Sequence, residues 1–372
     1  MHVDDDIRIA EGLPASAFMD RAWLARELAT IFQRSWLAVP EQLDDRPLVE
    51  QVAARGTRVP ISVLGHPLFL QRGWDDDQLR AFPNTCTHAW HPLVLGAGRG
   101  PTLVCPQHGR RFDCAGRFVS QPSFQHLPDF PRACDHLTAL PVATWQQMAF
   151  VNLDPAAPPL ALPEIDASIA LLPPHQPRGS ATTREIAGNW KQHAWNFLDH
   201  FHIGYVHRAP HGLADAIDLA SYATELHDGG VLQWVFARRP ADGFDPAHLP
   251  ARFADPGGRR VFALWWFVFP NLALNFYPWG LSVNVYQPIA DRPDATRFTW
   301  FQYPLDLAKY AERETRWLSS QVDAEDVDTL ALVGRGLRSG FAPRTRFSPE
   351  QERAGHWFHR AVARGVGRAE GA

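Results

Sequence analysis

Two short motifs in the first third of the chain pair thiols with imidazoles. Cys86-Thr-His88 and Cys105-Pro-Gln-His108 are separated by sixteen residues, and each supplies one cysteine and one histidine. Two thiolates and two imidazoles presented by two loops suit a tetrahedral zinc, or a [2Fe-2S] cluster with one iron on the cysteines and the other on the histidines. Structural zinc sites commonly keep like ligands together, as Cys-x-x-Cys and His-x-His. One of each per loop favours the cluster. Neutral imidazole in place of thiolate makes such a cluster less negative, with potentials of about −150 to +300 mV, so the site would store single electrons.

A second group lies between Asn189 and His207, where His193, Asp199, His200, His202 and His207 fall within nineteen positions. At about 100° per helical residue, Asp199 and His202 share a face, while His202 and His207 diverge by about 140° on an unbroken helix. Joint use of those two histidines needs a break, which Ile203-Gly204 is expected to supply. His193, His200 and His207, at seven-residue spacing, stack along one stripe, too far apart for one ion. Pro210 disfavours a helical His207/His211 pair.

The surrounding pattern supplies the scaffold. Residues 15–32 have apolar positions at helical spacing. From Trp36 to about Asn152, short apolar runs punctuated by Gly and Pro predict a small all-β domain. Residues 155–180, rich in Pro and Ala, read as a linker. Beyond it, a helix is expected from Thr183 through Leu198, followed by aromatic strands at 231–237, 261–269, 272–277, 281–286 and 298–303. Helices return at 307–337 and 349–364. This is an α+β chain whose antiparallel sheet is covered by helices, with residues 1–35 packing on the second domain, 36–154 forming the first and 181–372 the second.

Composition narrows the partners. Net charge is −4 and no basic run occurs, so a nucleic-acid partner is not expected. The longest apolar stretch, 261–269, is far short of the ~20 residues that span a bilayer. The amino terminus has three aspartates and no apolar core of a signal peptide. Four cysteines are too few for a disulfide scaffold, and a cytoplasmic location is expected.

The stretch from Asn84 to Phe118 resembles the Rieske domain, through Asn84-x-Cys-x-His, Cys-Pro-x-His-Gly and a Phe112-Asp-x-x-Gly-x-Phe118 trailer. Asn189-Trp-Lys, followed by Asn196-Phe-Leu-Asp-x-x-His-x-x-x-x-His207, resembles the catalytic domain of Rieske non-haem iron oxygenase alpha subunits. The likeness extends to Pro270-Asn271-Leu272 and to the Phe347-Ser-Pro-Glu tail, and is nearest to choline- and carnitine-monooxygenase types. It implies a helix-grip-like catalytic domain, a [2Fe-2S] cluster on Cys86, His88, Cys105 and His108, and mononuclear Fe(II) on His202, His207 and a carboxylate. Among Asp323, Glu325, Asp326 and Asp328, the Glu-Asp pair ahead of Gly336-Leu337 matches the family at Asp326. Asp199 is implied as the link between redox sites across a subunit boundary in a homotrimer. The chain departs from the oxygenase pattern at Ala89-Trp90, where Arg-Gly is usual, and at Arg110, where an aromatic residue is frequent.

Trp195, Asn196, Leu198, Phe201, Tyr205, Trp265, Phe267, Phe269, Asn271, Asn275 and Tyr277 are candidates to line an apolar pocket with a few polar groups. Its aromatic rings would stack on an aromatic substrate or take a quaternary ammonium by cation–π contact. The expected activity is hydroxylation or oxidative demethylation of a small organic molecule using dioxygen. With no flavin or nicotinamide fingerprint in the sequence, electrons would come from a separate reductase or ferredoxin. The competing readings are an electron carrier without oxygenase activity and a zinc-stabilised binding protein.

Overall fold

The computed structural model describes residues 2–40, 46–162, 165, 181–208, 210, 212–308, 311 and 319–367. Contacts divide the chain into two compact units, one of Gln33–Leu160 and one of Met1–Phe32 with Ala161–Ala372. Most of the expected linker, residues 163–164 and 166–180, lies outside the described residues. No described helix is long and apolar enough to cross a membrane.

Among the described residues, the Gln33–Leu160 unit holds ten strands: β1 (Trp36–Ala38), β2 (Thr57–Val63), β3 (His66–Arg72), β4 (Leu79–Pro83), β5 (Gly98–Arg99), β6 (Thr102–Val104), β7 (Arg111–Asp113), β8 (Phe118–Ser120), β9 (Val142–Trp145) and β10 (Met148–Asn152). They form three small antiparallel sheets, ordered β1-β10-β9, β4-β3-β2-β5 and β6-β7-β8. The motif residues have structural work here. Asn84 accepts from the backbone N–H groups of Leu93 and Val94 (both 2.8 Å) and donates to the Val94 carbonyl (2.7 Å), pinning the first Cys-His loop. Gly116 sits at φ +81°, where a Cβ would lie 2.6 Å from the Phe82 ring, so only glycine fits that turn.

The second unit holds a seven-stranded antiparallel sheet of β11 (Thr182–Ala187), β12 (Ala223–His227), β13 (Gly230–Phe236), β14 (Val261–Val268), β15 (Leu272–Tyr277), β16 (Gly280–Ile289) and β17 (Arg292–Pro304). Their order is β11-β17-β16-β15-β14-β13-β12. Helices Trp190–Leu198, Ser319–Leu337 and Arg353–Gly367 pack on this unit, giving the expected α+β architecture. The segment expected as a helix from Thr183 begins instead as β11. Thr182, Thr183 and Ile186 favour strand and pair with the β17 edge, and Gly188 at φ +105° ends the strand. The amino-terminal stretch is likewise two helices, Ser16–Met19 and Arg21–Thr30, broken at extended Asp20, whose carboxylate caps the second at Ala22 N (2.7 Å). Within 307–337 the described helix is Ser319–Leu337, and the tail helix starts at Arg353.

Asn189-Trp-Lys starts the helix that leads to the histidines. The Asn189 side chain accepts from Lys191 N (3.0 Å) and donates to the carbonyls of Phe18 (3.1 Å) and Pro293 (2.8 Å), while Gln192 reaches back to Asn189 N (2.8 Å), a complete capping box. Glu27, with no solvent exposure, accepts from Lys191 Nζ (2.8 Å), Trp190 Nε1 (2.9 Å) and Trp23 Nε1 (2.9 Å). Burial pushes the Glu27 carboxyl up and the Lys191 ammonium down, and each opposes the other's shift. Lys191→Met strands a buried carboxylate and should destabilise this unit by about 3–5 kcal/mol, seen as a lower denaturation midpoint. Glu27→Leu with Lys191→Met should recover most of that loss; an unchanged midpoint in Lys191→Met would contradict the assignment.

Candidate metal centres

In the Gln33–Leu160 unit, the two ligand loops share one hydrogen-bonding pattern. Cys86 N donates to His91 O (2.9 Å) and Trp90 N to Cys86 O (3.0 Å); Cys105 N donates to Arg110 O (2.8 Å) and Gly109 N to Cys105 O (3.0 Å). The fifth residue of each loop has positive φ, +72° at Gly109 and +61° at Trp90, whose side chain is 81% exposed. Cys86 and Cys105 belong to the hydrophobic core with Phe69, Phe82 and Phe112, and burial pushes the Cys86 thiol up. His88 and His108 sit outward, their ring centroids 4.8 Å apart.

Among the described residues, the only three His, Cys, Asp or Glu side chains with ligand atoms all within 4.8 Å of one another are His202, His207 and Asp326. The Cys-His quartet therefore has no three donors close enough for a single tetrahedral ion. A buried thiol pair and a separate imidazole pair fit a two-iron group, which disfavours the zinc reading.

The second centre is assembled from two helix ends and a third helix. The helix Trp190–Leu198 stops at extended Asp199, and the chain re-enters one helical turn, Ile203–Val206, flanked by His202 before it and His207 after it. The break thus precedes His202 and follows Val206 rather than lying at Ile203-Gly204, which are inside the turn. His202 Nε2 and His207 Nε2 lie 3.2 Å apart, and Asp326 Oδ1 is 3.4 Å from the first and 3.1 Å from the second. That buried oxygen has no hydrogen-bond partner. His207 Nδ1 donates to Glu325 Oε2 (2.8 Å), and His202 Nδ1 faces Asp199 Oδ2 at 3.6 Å. The Glu325 carboxylate behind His207 turns its Nε2 toward the common point, the usual support of a metal-binding histidine, whereas Asp199 lies beyond hydrogen-bond range of His202 Nδ1, which has no hydrogen-bond partner among the described residues.

The competing histidines are occupied elsewhere. His193 Nε2 donates to Ala187 O (2.9 Å), and burial drives it down to about 4. His200 stacks on Tyr222 with centroids 4.1 Å apart. His211 lies outside the described residues.

Beside the three donors opens a cavity of about 140 Å³, lined by Asn196, Phe197, Asp199, His200, Ile203, Leu213, Tyr222, Phe262, Trp265, Asn275, Tyr277, Trp279, Ser282, Asn284, Tyr286, Trp300, Val322 and Asp323 as well as the three donors themselves. Of the expected pocket residues, Asn196, Trp265, Asn275 and Tyr277 are there. The others are not. Phe201, and Tyr205 on the Ile203–Val206 turn, are 46% and 68% exposed. Trp195 lies on the opposite side of its helix against His359 (4.4 Å), and Leu198 is fully buried in the core. Phe267 and Phe269 pack under the tail helix against Phe358 (5.7 and 6.4 Å). Asn271 spends its amide on Tyr286 O (3.0 Å). Ser282, Asn284 and Tyr286 were missed, although polar groups alternating with Leu281, Val283 and Val285 along β16 mark one polar face of a strand.

Two family models match the chain, the Rieske [2Fe-2S] domain over residues 47–131 and the ring-hydroxylating alpha subunit catalytic domain over 177–368. The chain belongs to the ring-hydroxylating alpha subunits. It is a Rieske non-haem iron oxygenase, an oxidoreductase whose cofactors are a [2Fe-2S] cluster and a mononuclear iron. It is similar to the Escherichia coli K12 carnitine monooxygenase oxygenase subunit (25% identical, covering 88% of this chain and 84% of that protein). It is also similar to the Arabidopsis thaliana chloroplastic choline monooxygenase (26% identical, 93% and 81%). The solved structure of a quaternary ammonium Rieske monooxygenase, described as giving insight into carnitine oxidation and inter-subunit electron transfer, shares the fold (TM-score 0.77, 21% identical, 97% of each chain).

Burial works against a charged His202, but the carboxylates of Asp199 and Asp326 overcome it and lift the ring to about 9; His207 is raised as well. The metal-free site thus carries a proton at neutral pH that a metal must displace. Anaerobic Fe(II) uptake at about pH 7.5 should release about one proton or more per iron, measurable with a pH-stat. Stoichiometric uptake with no proton release would contradict this geometry.

Proposed function

We propose that this oxygenase holds its iron on His202, His207 and Asp326 and its cluster on Cys86, His88, Cys105 and His108, and that its substrate is a small organic cation of the quaternary ammonium class. When bound, the iron activates dioxygen and the cluster delivers electrons one at a time. Glu325 orients His207 through its Nδ1 atom, and Asp199 places its charge beside His202 Nδ1. Asp199 is also our candidate for the link that carries electrons between subunits of a homotrimer, a reading supported by the inter-subunit transfer named for the similar solved structure. A separate reductase or ferredoxin supplies those electrons, and free, largely buried thiols suit the cytoplasm. The domain division proposed is residues 36–154 for the cluster and 181–372 for the iron, with 1–35 packed on the latter.

The observation that carries the substrate class is the cavity wall. Tyr277 stacks on Trp279 (4.7 Å, 8°), Tyr222 on Trp265 (5.7 Å, 18°), and Phe262 meets Tyr277 edge-on at 5.9 Å. Besides Asp326, assigned to the iron, the described lining residues include Asp199 and Asp323 and no lysine or arginine. Aromatic faces with nearby carboxylates attract a cation whose methyl groups make it poorly hydrated. A flat neutral hydrocarbon would gain stacking alone.

The reconstituted enzyme, supplied with electrons, should therefore prefer choline over its neutral isostere 3,3-dimethylbutan-1-ol by more than about tenfold in kcat/KM, and other quaternary alcohols over theirs. Trp265→Leu should shrink that preference. Equal turnover of cation and isostere, or a preference for naphthalene-like substrates, would contradict the assignment.

A further inference from the structure

Arg110 follows the second cluster loop at a position where an aromatic residue is frequent in the family, and it is only 2% exposed. A guanidinium cannot shed its charge, so the cation is fixed inside the Gln33–Leu160 unit. Three phenyl rings enclose it, with the Arg110 Cζ 5.4 Å from the Phe118 centroid and 5.6 Å from those of Phe124 and Phe130. Its polar partners come from three further segments. Nη1 donates to Thr87 Oγ1 (2.8 Å), between the first cysteine and histidine, and to Asp135 Oδ1 (3.1 Å). Nε donates to Gln121 Oε1. With its oxygen engaged there, Gln121 places its NH2 group 3.0 Å from His88 Nδ1, a contact that an iron bound through that ring would displace, so Gln121 marks how near the guanidinium stands to the histidine and is not a bond retained in the loaded site.

One buried cation thus touches both cluster loops and stands a single amide group from a cluster histidine. Asp135, its counter-charge, is more exposed than Arg110, so solvent screens the anion more than the cation. We propose that Arg110 is a potential-setting and positioning residue for the [2Fe-2S] site: its enclosed charge favours the reduced state, and its fork ties Thr87 of the first ligand loop to the second loop. The inference rests on the cluster being held by Cys86, His88, Cys105 and His108. One electron passes from the reductase protein, which is oxidised by one electron, to this site, whose net charge falls by one unit. No bond is made or broken, so a fixed positive charge nearby shifts the equilibrium directly.

The test is a redox titration of the cluster in full-length protein, followed by electron paramagnetic resonance. Arg110→Met should lower the midpoint potential by at least 59 mV, a tenfold change for one electron. Arg110→Lys, which keeps the charge and loses the fork, should stay nearer the wild-type potential but alter the spectrum. Asp135→Asn, which can still cap the turn at Arg132 N through its side-chain oxygen, should shift the potential upward. Opposite signs for Arg110→Met and Asp135→Asn are the signature of charge. Shifts of the same sign, or none with an intact spectrum, would overturn the proposal. If Arg110→Met does not assemble a cluster, Asp135→Asn decides: an unchanged or lowered potential there overturns it. An absent rhombic spectrum in wild-type protein holding iron and sulfide would instead refute the underlying ligand assignment.

Discussion

Three lone-pair donors converge on one buried point in the catalytic unit, His202 Nε2, His207 Nε2 and Asp326 Oδ1, with separations of 3.1–3.4 Å. Such atoms repel one another unless a positive charge lies among them. A proton on His202 is one such charge, favoured by the carboxylates of Asp199 and Asp326, which lift the ring to about 9 against burial. A ferrous ion held as proposed would supply more charge, shared among all three donors. The scaffold keeps that demand in place. The capped helix after Asn189 delivers the chain to Asp199, a single helical turn separates the two histidines, and the helix Ser319–Leu337 brings Asp326 opposite. The Glu27–Lys191 pair and two indole N–H groups anchor the start of that path.

The two units surround their centres with opposite charge. Around the Cys-His quartet a guanidinium is buried among phenyl rings, a setting that suits a site receiving electrons. Around the three-donor site the cavity presents carboxylates and stacked aromatics, a setting that suits a bound cation. Redox potential in the first case and substrate choice in the second follow from fixed charges that folding has already desolvated.

Metal chemistry is the part most legible in the amino-acid sequence. The Cys-x-His and Cys-x-x-His spacings point to the proposed cluster loops, and family likeness picks out His202, His207 and Asp326, whose donor atoms the structure brings within 3.4 Å of one another. Local geometry is harder to read. Ile203-Gly204 look like a helix breaker, yet they form the one helical turn between the histidines, because Asp199 has already ended the preceding helix. Thr183–Ala187 read as helix until the β17 edge, which sequence alone does not reveal, recruits them as a strand. The pocket is least legible of all. Trp195, Phe267 and Tyr277 are equally plausible as wall or core, and only the tail helix over the first two decides. The useful signal was alternation along β16, where polar side chains recur at every second position.

The proposed chemistry requires a lone ferrous ion distinct from the cluster. Iron and acid-labile sulfide should be counted in anaerobically reconstituted wild-type and Asp326→Ala protein, with the reduced cluster followed by electron paramagnetic resonance. The geometry predicts about three irons for every two sulfides in the wild type, falling to about two in the variant with the cluster spectrum unchanged. An iron-to-sulfide ratio near one in both proteins would contradict it.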